Sequence, residues 1–410
     1  MANQSTAPNS NPAAVANGGK QLTSGQISRL LGRNQGPEFF FQQAFVPLQT
    51  VQIPKNVNLN RPLERLIIRL DIRIVIAGAN MSTVYPEALQ SLIQQVQLQG
   101  THNVYGALVP LQLTGADCFA WPSLFKVAGN VIIINGVRVN PLGVPNGVPA
   151  ATFGNTGTYD CQIFWEIPLV PVLPVAAKLN AIPFLFMQQN WSDTLFLQLT
   201  MADATALGVQ GGGGSATFSA LGSGSGSPQF YVYTNYEILG ALANQINTAT
   251  TIRAIQQVPQ GNITAISANL VKLAQLQKYK TLNAVLKSGL LASGTSAGVQ
   301  VYSSLSDAIF EQTQIRVDNK AIRNNLSNIT YKDYLRFAFD APSQPQGYLP
   351  MSFIDSLNPR TAFDGDKVSG GSTYEVDSQI ISGNGANYAE VIQEYFQGTP
   401  SGMEEPPSAS

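Results

Sequence analysis

Between residues 66 and 76 every second residue is leucine or isoleucine: Leu66, Ile68, Leu70, Ile72, Ile74 and Ile76, with Arg69, Asp71 and Arg73 on the alternate positions. A repeat of two is the spacing of the faces of a β-strand, and on a helix it would scatter the apolar residues around the cylinder. The stretch predicts an antiparallel strand with one face in a core. Its Arg-Asp-Arg face reads as solvated or paired across strands, not as a site. The same alternation returns at Leu195, Leu197, Leu199 and Met201, and at Phe230, Val232, Thr234, Tyr236 and Ile238. Further strands are expected over 45–53, 131–139, 159–167, 263–276, 300–303 and 389–396. All are rich in β-branched and aromatic residues and bounded by Gly, Pro and Asn.

Helical signals are few. Pro86 opens a segment with Leu89, Leu92, Ile93 and Val96 at helical spacing. Thr330 and Asp333 are placed to cap a helix over 331–338. Near the N-terminus, Thr23-Ser24-Gly25-Gln26 has the form of a capping box, followed by Ile27, Leu30 and Leu31 on one face and by Gly32. That helix is too short to stand alone. Its apolar face must dock on its own barrel, a neighbouring subunit or a membrane surface. Strands in series with isolated helices point to sandwiches or barrels of Greek-key type, and their number calls for two of them. Residues 1–20 and 401–410 have the composition of mobile ends. The glycine-rich stretch 208–228 reads as a flexible loop, either a linker or a long excursion within one barrel, with 244–251 as the competing boundary.

Composition narrows the function. Charged residues make up 11% of the 410, with 23 basic against 24 acidic and a net charge of −1. Amides replace the missing charge: Asn and Gln together number about 64, roughly one residue in six. A polar, nearly uncharged surface repels itself little and favours association. Scattered Lys and Arg leave no footprint for nucleic acid. One histidine, His102, and two cysteines, Cys118 and Cys161, cannot build a zinc site, and no cofactor motif is present. His102 reads as a solvated loop residue and the cysteines as buried free thiols. No secretory signal precedes the strands, and no apolar run is long enough to span a membrane. A soluble, non-secreted product is expected.

Only carboxylates remain as catalysts. Glu390 and Glu394 would share a strand face about 13 Å apart, wider than either glycosidase geometry. Asp364-Gly365-Asp366 sits in a glycine-rich turn that could ligate calcium but reads rather as a solvated loop, and Asp193 with Asp203 is a further candidate pair. The tryptophans Trp121, Trp165 and Trp191 are spread along the chain, and Trp165 lies within an alternating strand. No enzyme is expected.

The succession of these features resembles the double jelly-roll major capsid proteins of tailless icosahedral DNA viruses, the tectivirus-type phage lineage in particular. Phe164-Trp165-Glu166-Ile167-Pro168-Leu169, then Ala181-Ile182-Pro183, then the strand at 194–201 is similar to the later strands of a first barrel. Tyr231-Val232-Tyr233-Thr234-Asn235-Tyr236 resembles the strand that closes it, which puts 208–228 inside that barrel. Pro345-Gln346-Gly347-Tyr348-Leu349-Pro350-Met351-Ser352-Phe353-Ile354-Asp355 is similar to the turn-and-strand element of second barrels, carried by Pro345, Gly347, Ser352 and Asp355. Pro350 stands where that pattern often has Asn.

The resemblance implies an all-β chain of two tandem eight-stranded jelly rolls with short connecting helices. An arm and helix would occupy 1–36, a first jelly roll 37–242, a second 243–400 and a tail 401–410. It also implies a homotrimer forming pseudo-hexagonal capsomers that tile an icosahedral virion shell, with capsomer neighbours and minor or penton proteins as partners. Where members enclose an internal membrane, Ile27, Arg29, Leu30, Leu31 and Arg33 would form the assembly or membrane-facing part of the arm, the arginines toward lipid head groups. The competing reading is a β-sandwich for adhesion or carbohydrate binding, as in a spike or receptor-binding protein.

Overall fold

The computed structural model describes residues 16–17, 20–21, 38–55, 63–124, 130–139, 153–169, 186, 188–236, 252–263, 268–272, 280–307, 310–317, 320–326, 345–352, 363–364, 374–380 and 387–397. The strand Leu63–Ala77 organises the first part. It pairs antiparallel with Gly157–Pro168 from Arg65 to Ile76, with Gln229–Tyr236 on its N-terminal portion and with Ser215–Ser219 on its C-terminal portion. Glu38–Ala44 closes one end of this sheet, and the hairpin Val131–Ile134 with Val137–Val139 closes the other. The six Leu and Ile residues of the alternation are all buried. On the opposite face Arg65 binds Glu166 at 2.5 Å, Arg69 grips Asp71 with two bonds of 2.7 and 2.6 Å, and Arg73 grips Asp160 at 2.7 and 2.8 Å. The charged side of the alternation is therefore a paired surface.

A second sheet covers the first. Thr50–Pro54, Phe196–Met201, Ile93–His102 and Gly106–Leu113 lie side by side, and their inward residues Ile53, Leu197, Leu199, Val96, Leu98 and Leu111 join the same core. This sheet does not stop there. Gly106–Leu113 bonds in parallel to Ile252–Ile263 through Ile255 opposite Leu111 and Gln256 opposite Gln112. The sheet then runs on through Asn387–Gln397, Lys280–Leu291 and Tyr302–Leu305. Among the described residues this is the only strand pairing between the chain before residue 237 and the chain after residue 251. A separate four-stranded sheet, Ala268–Lys272, Tyr374–Ile380, Phe310–Val317 and Lys320–Leu326, belongs wholly to the later part.

Several elements differ from the sequence reading. The segment after Pro86 is a turn and a 3-10 turn at Gln90–Leu92, then the strand Ile93–His102. Leu89, Leu92, Ile93 and Val96 are buried as helical spacing required. However, pairing to neighbours on both sides of Ile93–His102 outweighs a weak local preference. The helix Gly115–Leu124 has no counterpart among the helices expected from the sequence. It is buried on every described side, with Ala116, Asp117, Cys118, Phe119, Ala120, Trp121 and Leu124 all in the interior, so it shows no amphipathic period.

The strand expected over 45–53 is divided by a turn at Val46–Gln49, where Leu48 adopts φ 61°. That over 131–139 is a hairpin, because Asn135 and Gly136 at φ 51° and 80° make the tight reversal such dipeptides favour. Over 263–276 the described strands are Ile252–Ile263 and Ala268–Lys272. The glycine-rich stretch is no featureless loop: Gly208–Gln210 pairs with Met81–Val84 and Ser215–Ser219 with Leu63–Ala77, its glycines making the reversals between short strands. His102 is buried too, packed on Tyr105 and Trp191 with ring centroids 5.2 Å away in each case. Its Nδ1 accepts from the Val104 amide at 3.2 Å, and burial lowers its pKa. Both cysteines are free and buried. The helices expected at 23–31 and 331–338 lie outside the described residues.

Candidate functional site: a buried ionic centre between the two parts

The inward face of the later sheet carries charge where apolar residues would be expected. On Lys280–Leu291, Asn283, Val285 and Lys287 share one face. Opposite them on Asn387–Gln397 lie Glu394, Ile392 and Glu390. On the other flank of Lys280–Leu291, Tyr348 stands opposite Lys287. Tyr348, Lys287 and Glu390 thus form one row across three strands. Alternate residues Ala284, Leu286, Val391 and Gln393 are buried on the reverse face, so this part of the sheet is covered on both sides.

The row is completed from the early part of the chain. Asp117 lies in the first turn of Gly115–Leu124, whose N-cap is Thr114: the Thr114 hydroxyl accepts from the Asp117 amide at 3.1 Å and donates to Asp117 Oδ2 at 2.6 Å. Asp117 Oδ1 then meets Lys287 Nζ at 2.7 Å, and Glu87 Oε2 meets the same nitrogen at 2.9 Å. Glu390 Oε1 is 3.6 Å away. The Tyr348 hydroxyl donates to Glu87 and lies 3.0 Å from Asp117 Oδ1. The rings of Tyr302 and Tyr348 flank the ammonium with centroids at 4.7 and 4.9 Å. All of these groups are buried, Lys287 at 1% exposure and Asp117 at 0%.

Burial works against the Lys287 ammonium, but Asp117, Glu87 and Glu390 outweigh it and raise the pKa. For Glu87, burial dominates and raises the carboxyl pKa despite the lysine beside it. Tyr348 is raised well above the usual phenol range, first by burial and then by the carboxylates. A cavity of about 20 Å³ borders Glu87, Lys287, Glu390, Gln300 and Tyr302, room for a single water.

Neutral contacts surround this centre along the same seam. Gln94 exchanges two bonds with the Gln300 backbone at 2.9 and 3.2 Å. Asp203 caps a 3-10 turn and accepts from Ser296 Oγ, while the Ser296 amide donates to Thr205 Oγ1 at 3.0 Å. Val299 and Val301 pack with Tyr85, Ala202 and Ala206.

The residues singled out from sequence divide as follows. Pro345 and Gly347 lie in the turn before Tyr348–Ser352, and Ser352 ends that strand opposite Asn283. Gly347 has φ 76°, donates its amide to Asp307 at 2.8 Å and accepts from the Ser288 amide at 2.9 Å. The motif therefore delivers Tyr348 to the ionic centre. Ile27, Arg29, Leu30, Leu31, Arg33 and Asp355 lie outside the described residues. Glu394 accepts from Asn283 at 2.6 Å and Glu390 faces Lys287. Asp193 pairs with Lys55 at 2.8 Å. No pair of these carboxylates flanks a cleft among the described residues. There, too, no group of three or more His, Cys, Asp or Glu is disposed to hold a metal ion, and no helix is long and apolar enough to cross a membrane.

No protein-family model matches the sequence, and no curated protein does. Solved structures do match. The chain is similar to the major capsid protein of Sulfolobus turreted icosahedral virus, with a TM-score of 0.55 and 11% identity over 88% of this chain and 95% of that one. It is similar to the Faustovirus major capsid protein, with 0.50 and 10% over 92% and 94%. It is also similar to PBCV-1 VP54 as fitted into a reconstruction of the virophage Sputnik, with 0.50 and 12% over 88% and 92%. At such identities the likeness is one of fold. The chain has the double jelly-roll architecture of viral major capsid proteins.

Proposed function

We propose that this chain is the major capsid protein of an icosahedral virus and that it resides in the virion shell. The observation that carries the reading is the end-to-end structural match: both parts of the chain align in one superposition with 95% of a capsid protein of similar architecture. In this reading 37–242 and 243–400 are the two jelly rolls, and the seam around Lys287 holds them as one rigid block. Three such chains present six barrels as a pseudo-hexagonal capsomer, and a surface rich in amides meets its neighbours without desolvating full charges. The arm bearing Ile27, Arg29, Leu30, Leu31 and Arg33 would face inward, toward minor proteins or a membrane. The tryptophans that a glycan platform would need are buried, which speaks against the carbohydrate-binding alternative.

Purified protein examined by light scattering and negative-stain microscopy should show trimers and pseudo-hexagonal capsomers or shells. A stable monomer at assembly concentrations would overturn the reading.

A further inference from the structure

The ionic centre has the parts of a reaction as well as of a salt bridge. A primary amine and a carboxyl group are held in contact, shut away from bulk water, with a second carboxyl on the amine and two hydroxyls on the first carboxyl. Hydrogen-bonding contact between Lys287 Nζ and Asp117 Oδ1 brings the nitrogen near Cγ, and groups locked at about 3–3.5 Å react as if at very high effective concentration. We propose that Lys287 Nζ condenses with Asp117 Cγ to form an intramolecular amide, covalently joining the helix Gly115–Leu124 to the strand Lys280–Leu291.

The steps balance without any co-reactant. Glu87 Oε2 takes a proton from Nζ, leaving a neutral amine. The amine adds to Asp117 Cγ while the Thr114 hydroxyl holds Oδ2, which becomes the amide carbonyl. Tyr348 bridges Glu87 and Asp117 Oδ1, so it relays the protons shed by nitrogen to Oδ1. The Cγ–Oδ1 bond breaks and water departs. One ammonium and one carboxylate become one amide and one water. The water-sized cavity beside Lys287 receives the product. The ground state opposes the first step, because the surrounding carboxylates favour the ammonium. Burial, which raises the Glu87 pKa, acts in the opposite direction, and the reaction need run only once per chain. The amide removes two opposite buried charges together, and Glu87, whose carboxyl burial inclines to hold a proton, needs no cation once protonated.

The test is a tryptic mass map of the full-length chain, purified and denatured. The expected result is a branched peptide joining the Asp117 and Lys287 segments, lighter by one water than their sum, with no cleavage after Lys287. Separate linear peptides from aged wild-type protein would overturn the proposal, and that measurement needs no variant. Glu87→Gln, shown to be folded by circular dichroism, should yield only linear peptides. A branched peptide from it would overturn the role given to Glu87.

Discussion

Lys287 and Asp117 stand 170 residues apart in the chain and 2.7 Å apart in the interior. One belongs to a strand of the later part and the other to a helix of the early part, so their contact fixes how the two parts lie against each other. The parallel bridge at Leu111 and Ile255 sets the sheets edge to edge. The ionic row fixes the orientation that such a short bridge leaves open. A well-packed apolar patch would bury as much surface, but a charge with three carboxylate partners admits fewer alternative alignments.

Replacing Lys287 by Met should therefore be among the more damaging single substitutions. Measured against freshly folded chain, in which Lys287 is still the ammonium, it leaves Glu87, Asp117 and Glu390 buried without their cation, a situation that costs about 3–5 kcal/mol. The thermal midpoint should drop markedly. Adding Glu87→Gln and Asp117→Asn to the same chain should recover much of the loss, since the deficit lies in uncompensated charge more than in packing. A triple variant no more stable than Lys287→Met would refute that account.

Two carboxyl groups at the seam should give pH dependences of opposite sign. Burial raises Glu87 above its ordinary 4.5, so the folded chain holds the proton longer than the unfolded chain, and stability falls as pH rises from 4.5 toward the folded value. Forming the amide leaves this direction unchanged, because it removes the ammonium that lowers the pKa. For Asp203, burial works upward, but donors from Ser296 and Thr205 outweigh it and lower the pKa below 3.8. Its contribution is present above 3.8 and is lost as pH falls through the folded value. Midpoints measured against pH should show Glu87→Gln removing part of the decline above 4.5, and Asp203→Asn flattening the acid limb.

Gly347 offers a test of backbone geometry. At φ 76° an added Cβ would stand 2.6 Å from the Ser288 carbonyl oxygen and 2.9 Å from Leu305 Cβ. Gly136 has a similar φ of 80°, but a Cβ there meets nothing within 4 Å. Alanine at 136 should cost only the backbone strain, about 1 kcal/mol. Alanine at 347 should cost clearly more, because Tyr348 is displaced from Lys287 as well. Equal losses at the two positions in paired unfolding curves would show that the close approach of Gly347 to Ser288 contributes nothing.

The strand Leu63–Ala77 was legible because one face is core and the other is charged, so the alternation survives in the letters. Gly115–Leu124 was not, since a helix buried all round has no polar face to set its period. The ionic centre was harder still: Glu87, Asp117, Lys287 and Glu390 come from four distant segments and only the fold collects them. Two signals did exist. Lys287 interrupts the apolar run of Lys280–Leu291, and Glu390 with Glu394 recurs at strand spacing on one face. Each of those glutamates takes its own partner, so the pair read as too widely spaced for catalysis is structural: Glu390 joins the ionic centre at Lys287, and Glu394 ties its strand to Asn283 on the next.

The two cysteines can report on that seam. Burial pushes Cys161 up to about 12, with Asp160 adding to it; burial and then Asp117 raise Cys118 well above the ordinary thiol range. The thiolate is the reactive form, so at about pH 8 neither should react with a disulfide reagent in the native protein. Cys161 is pinned within Gly157–Pro168, between Leu63–Ala77 and Val131–Ile134, whereas Cys118 adjoins Asp117 on the helix that Lys287 anchors. In Lys287→Met the helix should loosen before the sheet does, and Cys118 should label faster than Cys161 under native conditions. Labelling rates followed by mass spectrometry decide the matter: equal rates at the two sites would mean that the helix is held by its apolar packing alone and that the lysine does not anchor it.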